Sequence, residues 1–402
     1  MPSASQPTRR KFMQQTGLAA AGLFLPAALP ALTPSTHMAP KEMLVYFGTY
    51  TTGESKSKGI YLHRMDMTSG ALRPVATTEG VTSPSFLATD RQRRYLYAVS
   101  ETMEFEGKPG GAVSAFAIDA QTGNLKPLNQ QPTQGGAPCH VTVSQDGKFV
   151  LVANYMGGNV TVFPVQANGS LGAAVENIRH QGKSVNAKRQ EAPHAHNVVL
   201  DPANRFAFVS DLGIDKVMIY RFDAATGKLQ PHATPAAGMK PGAGPRHFTF
   251  HPQGKYAYVI NELDSTVTAF AYDPVKGSLR ELQTVSTLPA GFSGQSFCAD
   301  IHASPDGKFL YGSNRGHNSI ATFAINGQTG QLTPAGHTPT GGKWPRNFTL
   351  DPSGNFLLVA NQHTNNVVVY RRDAKTGKLT PAGQPVEVPA PVCVLLAPAT
   401  IG

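Results

Sequence analysis

Short stretches in which apolar and polar residues alternate follow one another along most of this chain, separated by tight polar turns. The stretch Gly244 to Glu262, GPRHFTFHPQGKYAYVINE, displays the unit. His247 to His251 alternates and is rich in aromatics, Pro252-Gln253-Gly254-Lys255 carries turn chemistry, and Tyr256 to Ile260 alternates again, which predicts a β-hairpin. Antiparallel register about Gln253 and Gly254 puts Arg246 almost opposite Asn261, so Arg246 and Glu262 emerge at the same open end. In a lone hairpin such a guanidinium and carboxylate form an ordinary structural ion pair.

The unit recurs. A Gly-x-Leu signature follows a turn at Gly70, Gly123, Gly169, Gly227, Gly277, Gly330 and Gly377, with a period of about fifty residues that fits a four-stranded propeller blade. A second signature, a strand, a polar turn and a strand ending in a small polar residue, spans Pro84 to Ser100, Pro138 to Asn154, Ala195 to Asp211, Pro245 to Asn261, Cys298 to Asn314 and Pro345 to Asn361. The seventh copy is split: Pro391 to Pro398 matches Pro245 to Pro252, and Leu44 to Tyr50 supplies its second strand. The expected fold is all-β, a seven-bladed β-propeller of four-stranded antiparallel blades over residues 40–402, its ring closed by the C-terminal strand joining the N-terminal blade. Closure removes the two exposed sheet edges of an open array.

In such a ring the innermost strands run along the axis, so equivalent repeat positions become circles around a channel. Ser85, Cys139, His196, Arg246, Ala299, Arg346 and Val392 form one circle; Tyr50, Glu101, Tyr155, Leu212, Glu262, Arg315 and Gln362 form the other. Ala299, Val392 and Leu212 show that the scaffold accepts apolar residues here. His196, Arg246, Glu262 and Arg315 come from three consecutive blades, with Arg346 on the next, and converging charges are costly to desolvate unless something uses them. They are the candidate site. His302, His194 and His247 flank it, and Trp344 offers either a cavity wall or blade packing. Gly172 to Ala192, with Lys183, Lys188 and Arg189, is a rim loop or a basic lid. Asn154, Asp211, Asn261, Asn314 and Asn361 make a further polar circle, suited either to sugar hydroxyls or to capping strand ends.

Composition refines this picture. With 40 Gly, 32 Pro and no amphipathic helical run of useful length after residue 40, the chain suits many short strands. Thr8-Arg9-Arg10-Lys11-Phe12-Met13, followed by an uncharged apolar run from Thr16 to Leu32 and no acidic residue before Glu42, reads as a twin-arginine export signal and linker over residues 1–39, cleaved between about Ala28 and Ala39. The expected product is periplasmic, with no membrane association after signal removal. Of the formal charge of +10, Arg9, Arg10 and Lys11 supply three, leaving +7 scattered over the rest, which argues against a nucleic-acid surface. Cys139, Cys298 and Cys393 form no C-x-x-C pair, which excludes a metal or redox motif; they read as buried thiols, with one disulfide left open.

GPRHFTFHP…YAYVINEL, ADIHASPDGKFLYGSNR and WPRNFTLDPSGNFLLVANQ resemble the seven-bladed β-propeller lactonase family, which includes propeller-type 6-phosphogluconolactonases and carboxy-muconate lactonising cyclases, over residues 43 to 398. By motif, the family's cleft His, Arg, Glu and Arg correspond to His196, Arg246, Glu262 and Arg315. The resemblance implies metal-free and cofactor-free hydrolysis of a sugar lactone to an aldonic acid, with Glu262 as base, His196 as acid and Arg246 at the carbonyl oxygen. Arg315 and Arg346, backed by His302 and His247, would bind an anionic or polyhydroxylated lactone. Export points to an unphosphorylated substrate, and the closed ring to a monomer. Two other readings stay open: a propeller that binds an acidic small molecule or protein without catalysis, and a muconate-type cyclase with an apolar wall.

Overall fold

The computed structural model describes residues 41–399, so the anticipated export signal lies outside the described residues. Seven antiparallel sheets follow one another around a central axis, and each gives its innermost strand to the channel. Blades 3 to 6 begin on Pro138–Val143, Ala195–Leu200, Pro245–Phe250 and Phe297–Ala303, and blade 7 on Pro345–Leu350. Blade 2 runs Leu87–Thr89, Tyr95–Ser100, Ala112–Ile118 and Leu125–Pro132. Blade 1 is the split one. Its inner strand Pro391–Pro398 pairs with Glu42–Thr49, Met43 facing Pro398 and Gly48 facing Cys393, as the repeat alignment anticipates.

The apolar alternation of every strand is spent between blades. Seven separate clusters of buried hydrophobics each join two neighbouring sheets, for example Phe206, Phe208 and Ile219 with Phe248, Val259 and Phe270. Among the described residues the only helical turns are the short Leu212–Ile214 and Gln362–Thr364.

The inner strands carry one irregularity that matters for function. Pro245 pairs with Asn261 and His247 with Ile260, so Arg246 is skipped as a β-bulge instead of facing Asn261 directly. Cys139, His196 and Arg346 are skipped in the same way, and in blade 6 both Ala299 and Asp300 are. A bulge leaves its residue outside the ladder and re-aims the side chain. With Val392 skipped too, every member of the first circle except Ser85, which precedes its strand, is a bulge.

The Gly-x-Leu signature also finds its physical cause. Gly277 has φ +69°, and a Cβ there would lie 2.5 Å from the Phe206 ring on the preceding blade. Gly169 packs on Tyr95 and Gly330 on Tyr256 by the same contact. Tyrosines of one blade reach the signature carbonyls of the next: Tyr97 donates to Gly169 O at 3.1 Å, Tyr258 to Gly330 O at 3.1 Å and Tyr311 to Gly377 O at 2.9 Å. Gly254, with φ +66°, has nothing within 4 Å of a built Cβ. Gly277→Ala is expected to cost roughly 2–4 kcal/mol, combining backbone strain with overpacking, and Gly254→Ala about 1 kcal/mol. Thermal denaturation of the two variants checks this, and equal losses would remove the inter-blade explanation.

Candidate active site

At the end of the inner strands where the two circles meet lies a cavity of about 310 Å³, lined by Glu101, Tyr155, Arg189, His196, Arg315 and Arg346, with Glu262 and Cys139 beside them and Phe297 and Trp344 as an apolar wall. Beneath it is a recess of about 10 Å³, bordered by Ser85, Glu101, Cys139, Arg246, His247 and Arg346. That is about the room one water or one oxygen atom needs. The strand ends supply Glu262 and Arg315, and the bulges supply His196, Arg246 and Arg346.

Glu262 is buried, and guanidiniums contact both of its oxygens. Arg189 Nη2 donates to Oε1 at 2.6 Å. Arg315 Nη2 lies 2.8 Å and Arg246 Nε 3.0 Å from Oε2. Burial alone would raise this carboxyl, but Arg315, Arg246 and Arg189 together outweigh it and hold it at about 2. The Arg246 contact is an ion pair without an aligned hydrogen bond: Nε of Arg246, like Nε of Arg315, is a buried N–H with no partner. Buried donors are rarely left so, and the Glu262 carboxylate compensates these two by charge.

A second carboxylate balances the other side. Glu101 accepts from the Tyr50 hydroxyl at 3.0 Å and from Ser85 Oγ at 2.5 Å. Arg346 Nη2 lies 4.0 Å from Glu101 and its guanidinium sits 5.4 Å above the Tyr50 ring. The cluster holds four guanidiniums, Arg189, Arg246, Arg315 and Arg346, against two carboxylates, and so attracts anions.

His196 is buried, and burial, followed by the charges of Arg246, His247 and Arg346, pushes it well below its usual value, leaving a neutral imidazole. Cys139 Sγ lies 3.7 Å from its Nδ1, but burial pushes that thiol up, so the two do not form a thiolate–imidazolium pair. All three cysteines are free and buried.

Other expected residues lie elsewhere. His302 lines a different cavity, of about 450 Å³, toward the opposite end of the inner strands. Burial would lower His302, but the Asp300 carboxylate 3.1 Å away raises it. His247 sits below the cavity, between the recess and that opposite space, so neither histidine faces the arginine-lined cavity. Three positions along a strand that rises about 3.3 Å per residue carry His302 roughly 10 Å down the channel, away from its charged end. His194 stacks on Tyr155 with centroids 4.5 Å apart and steadies that wall.

The polar circle is structural: Asn154, Asn314 and Asn361 turn their amides to the carbonyls of Thr133, Thr287 and Thr340, Asn261 bonds Thr266 and Thr268, and Asp211 accepts from His194 N and Gly213 N. None of the five lines the cavity. Trp344 forms cavity wall and carries Arg315 at 5.5 Å over its ring. The segment 172–192 does reach the site, through Arg189, which also donates to Tyr155 Oη at 3.2 Å. Arg189 has no repeat equivalent, and only the basic character of its segment signalled it. Glu101, Tyr50 and Tyr155 stood in the second circle but looked no different from scaffold without their partners.

The family model described as Lactonase, 7-bladed beta-propeller matches residues 44–396. The chain is 41% identical over 350 residues to a 6-phosphogluconolactonase of Bacillus subtilis (strain 168), covering 87% of this chain and 97% of that one. A 6-phosphogluconolactonase of Formosa agariphila is 37% identical over 310 residues, covering 76% and 86%. The solved periplasmic gluconolactonase of Pseudomonas aeruginosa superposes with a TM-score of 0.83 at 35% identity, covering 88% of this chain and 99% of that one.

The depressed Glu262 carboxyl makes stability depend on pH. Its contribution is fully present above the ordinary value of 4.5 and is lost as pH falls through about 2. Glu262→Gln leaves the guanidiniums unpaired and is expected to cost about 3–5 kcal/mol at pH 7, a deficit that shrinks between pH 4.5 and 2, where the unfolded wild-type chain takes up a proton that the folded one does not. Urea unfolding of both proteins at pH 7 and pH 3 checks it; a deficit independent of pH would show that the charge is not the cause.

Proposed function

Because this chain belongs to the seven-bladed β-propeller lactonase family, we propose that it hydrolyses a sugar δ-lactone to the open-chain aldonic acid in the arginine-lined cavity. The observation that carries the reading is the water-sized recess bordered by Arg246 and Arg346, under a cavity that holds a neutral His196. The lactone carbonyl oxygen fits the recess, where two guanidiniums meet the negative charge it gains on attack. A donor of this kind contributes roughly 3 kcal/mol to the transition state.

Water adds to the carbonyl carbon and its proton passes to His196. Collapse of the tetrahedral intermediate breaks the bond to the ring oxygen, which takes that proton back from the imidazolium. This exchanges the roles anticipated for Glu262 and His196. Guanidiniums occupy both oxygens of Glu262, which leaves it no free oxygen to take a proton, whereas His196 lines the cavity as a neutral imidazole, which can accept a proton but is not an acid. Glu262 instead holds Arg246 and Arg315 in place. Arg189 and Arg315, at the cavity's outer side, receive the hydroxyl-bearing or anionic part of the substrate, and their excess charge suits the carboxylate product. Phe297 and Trp344 suit the apolar face of a sugar ring, and equally the wall expected of a muconate-type cyclase, so a muconolactone belongs among the test substrates.

The protein is proposed to act in the periplasm on an unphosphorylated aldonolactone, exported by the twin-arginine signal at Arg9 and Arg10. The periplasmic gluconolactonase among its structural neighbours supports that setting.

In a pH-stat, the purified protein is expected to open glucono-1,5-lactone faster than its spontaneous hydrolysis, and faster than the 6-phosphate. Arg246→Met and His196→Ala are each expected to lower kcat about a hundredfold or more. No rate above background with either sugar lactone or a muconolactone would move the reading to a binding propeller. Changing both Arg9 and Arg10 to Lys is expected to retain the protein in the cytoplasm, read by cell fractionation; unaltered export would refute the twin-arginine route.

A further inference from the structure

The residue after each bulge forms a layer below the recess, and its side chains reach from blade to blade. His140 Nδ1 accepts from Val198 N–H at 3.4 Å, Asp300 Oδ2 from Phe348 N–H at 3.2 Å and Asn347 Oδ1 from Val394 N–H at 2.7 Å. His247 departs from this pattern. Its Nδ1 lies 2.7 Å from Asp300 Oδ1, and its Nε2 lies 3.3 Å from Nη1 of Arg246. A guanidinium N–H can only donate, so Nε2 is the acceptor and the single imidazole proton sits on Nδ1, facing the carboxylate. Burial, followed by the Arg246 charge, lowers His247 to about 4, against the pull of Asp300, so this neutral tautomer persists at neutral pH.

Asp300 is itself fixed by main-chain N–H of Ile301 at 2.9 Å, by Asn347 Nδ2 at 2.5 Å and by His302 Nε2 at 3.1 Å. It stays ionised: burial would raise it, but His302 and His247 hold it well below the usual range. Its charge joins Glu262 in supporting Arg246, which burial and then Arg315 and Arg346 draw down to about 10. Blade packing does not demand this polar pair. The same layer position holds Phe86 in blade 2 and Cys393 in blade 1, and buried polar groups are costly where apolar ones serve.

We propose that Asp300 and His247 form a positioning pair for Arg246. Asp300 sets the His247 tautomer, and His247 together with the Ala299 carbonyl grips Nη1 and so fixes where the guanidinium stands at the recess that takes the lactone oxygen. The proposal rests on the reading of Arg246 as an oxyanion donor, and a donor misplaced by about 1 Å can forfeit a hundredfold in rate. Both members act through Arg246.

The test is the kinetics of H247F, H247Q and D300N on glucono-1,5-lactone in the full chain, with a crystal structure of H247F. The expected result is a ten- to hundredfold lower kcat in H247F and D300N with KM within about twofold. H247Q is expected to recover most of the rate, because its amide oxygen accepts from Nη1, and in H247F crystals the guanidinium has left the Ala299 carbonyl. If D300N does not fold, H247F, which keeps the ring volume, carries the test. An unmoved guanidinium with unchanged kcat in folded H247F overturns the pair. A wild-type protein inactive on lactones, in which H247F nonetheless displaces Arg246, overturns the hydrolase reading and leaves the pair standing.

Discussion

Pairing of Pro391–Pro398 with Glu42–Thr49 is the contact on which the remaining architecture depends. Each apolar cluster needs two neighbouring blades, so an unclosed array would expose one cluster at the seam and leave a bare strand edge on blade 1. Closure also gives the molecule an axis. Only around that axis do side chains from blades far apart in sequence, such as Glu101 and Arg346, share one small space.

What occupies the axis is an electrostatic compromise. Burying Arg246, Arg315 and Glu262 and half-burying Arg189, Arg346 and Glu101 is costly, and the cluster meets that cost by contact: Glu262 touches three arginines, and Glu101 takes hydrogen bonds from Tyr50 and Ser85. The compromise is deliberately incomplete. Arg346 lines the cavity 4.0 Å from its carboxylate, so its donors remain for an incoming oxygen or anion. The same surroundings, burial first, suppress the charge of His196 and keep its imidazole neutral among the arginines.

Backbone irregularity is what delivers these groups. A regular ladder would alternate inner-strand side chains between the two faces of a blade and bury them between neighbours. One skipped residue at the strand end releases His196, Arg246 and Arg346 from the ladder. The layer immediately below returns to blade-to-blade bonding through His140, Asp300 and Asn347, which gives the site a rigid floor.

The strand periodicity, the seven glycine signatures and the split repeat were enough to specify blade number, closure and the two circles, because in a ring equivalent sequence positions are equivalent positions in space. They also singled out His196, Arg246, Glu262, Arg315 and Arg346. Arg189 was beyond that logic, since it stands outside the repeat and meets Glu262 only through the folding of its own segment. Direction was beyond it too: the pattern placed His302, His247 and the polar circle near the site, yet the bulges and strand alternation send His302 toward the far end of the channel and the asparagines into strand-end hydrogen bonds. Charge state belongs to the tertiary structure alone, because the pull on Glu262 and His196 is a sum over neighbours whose distances no linear spacing contains.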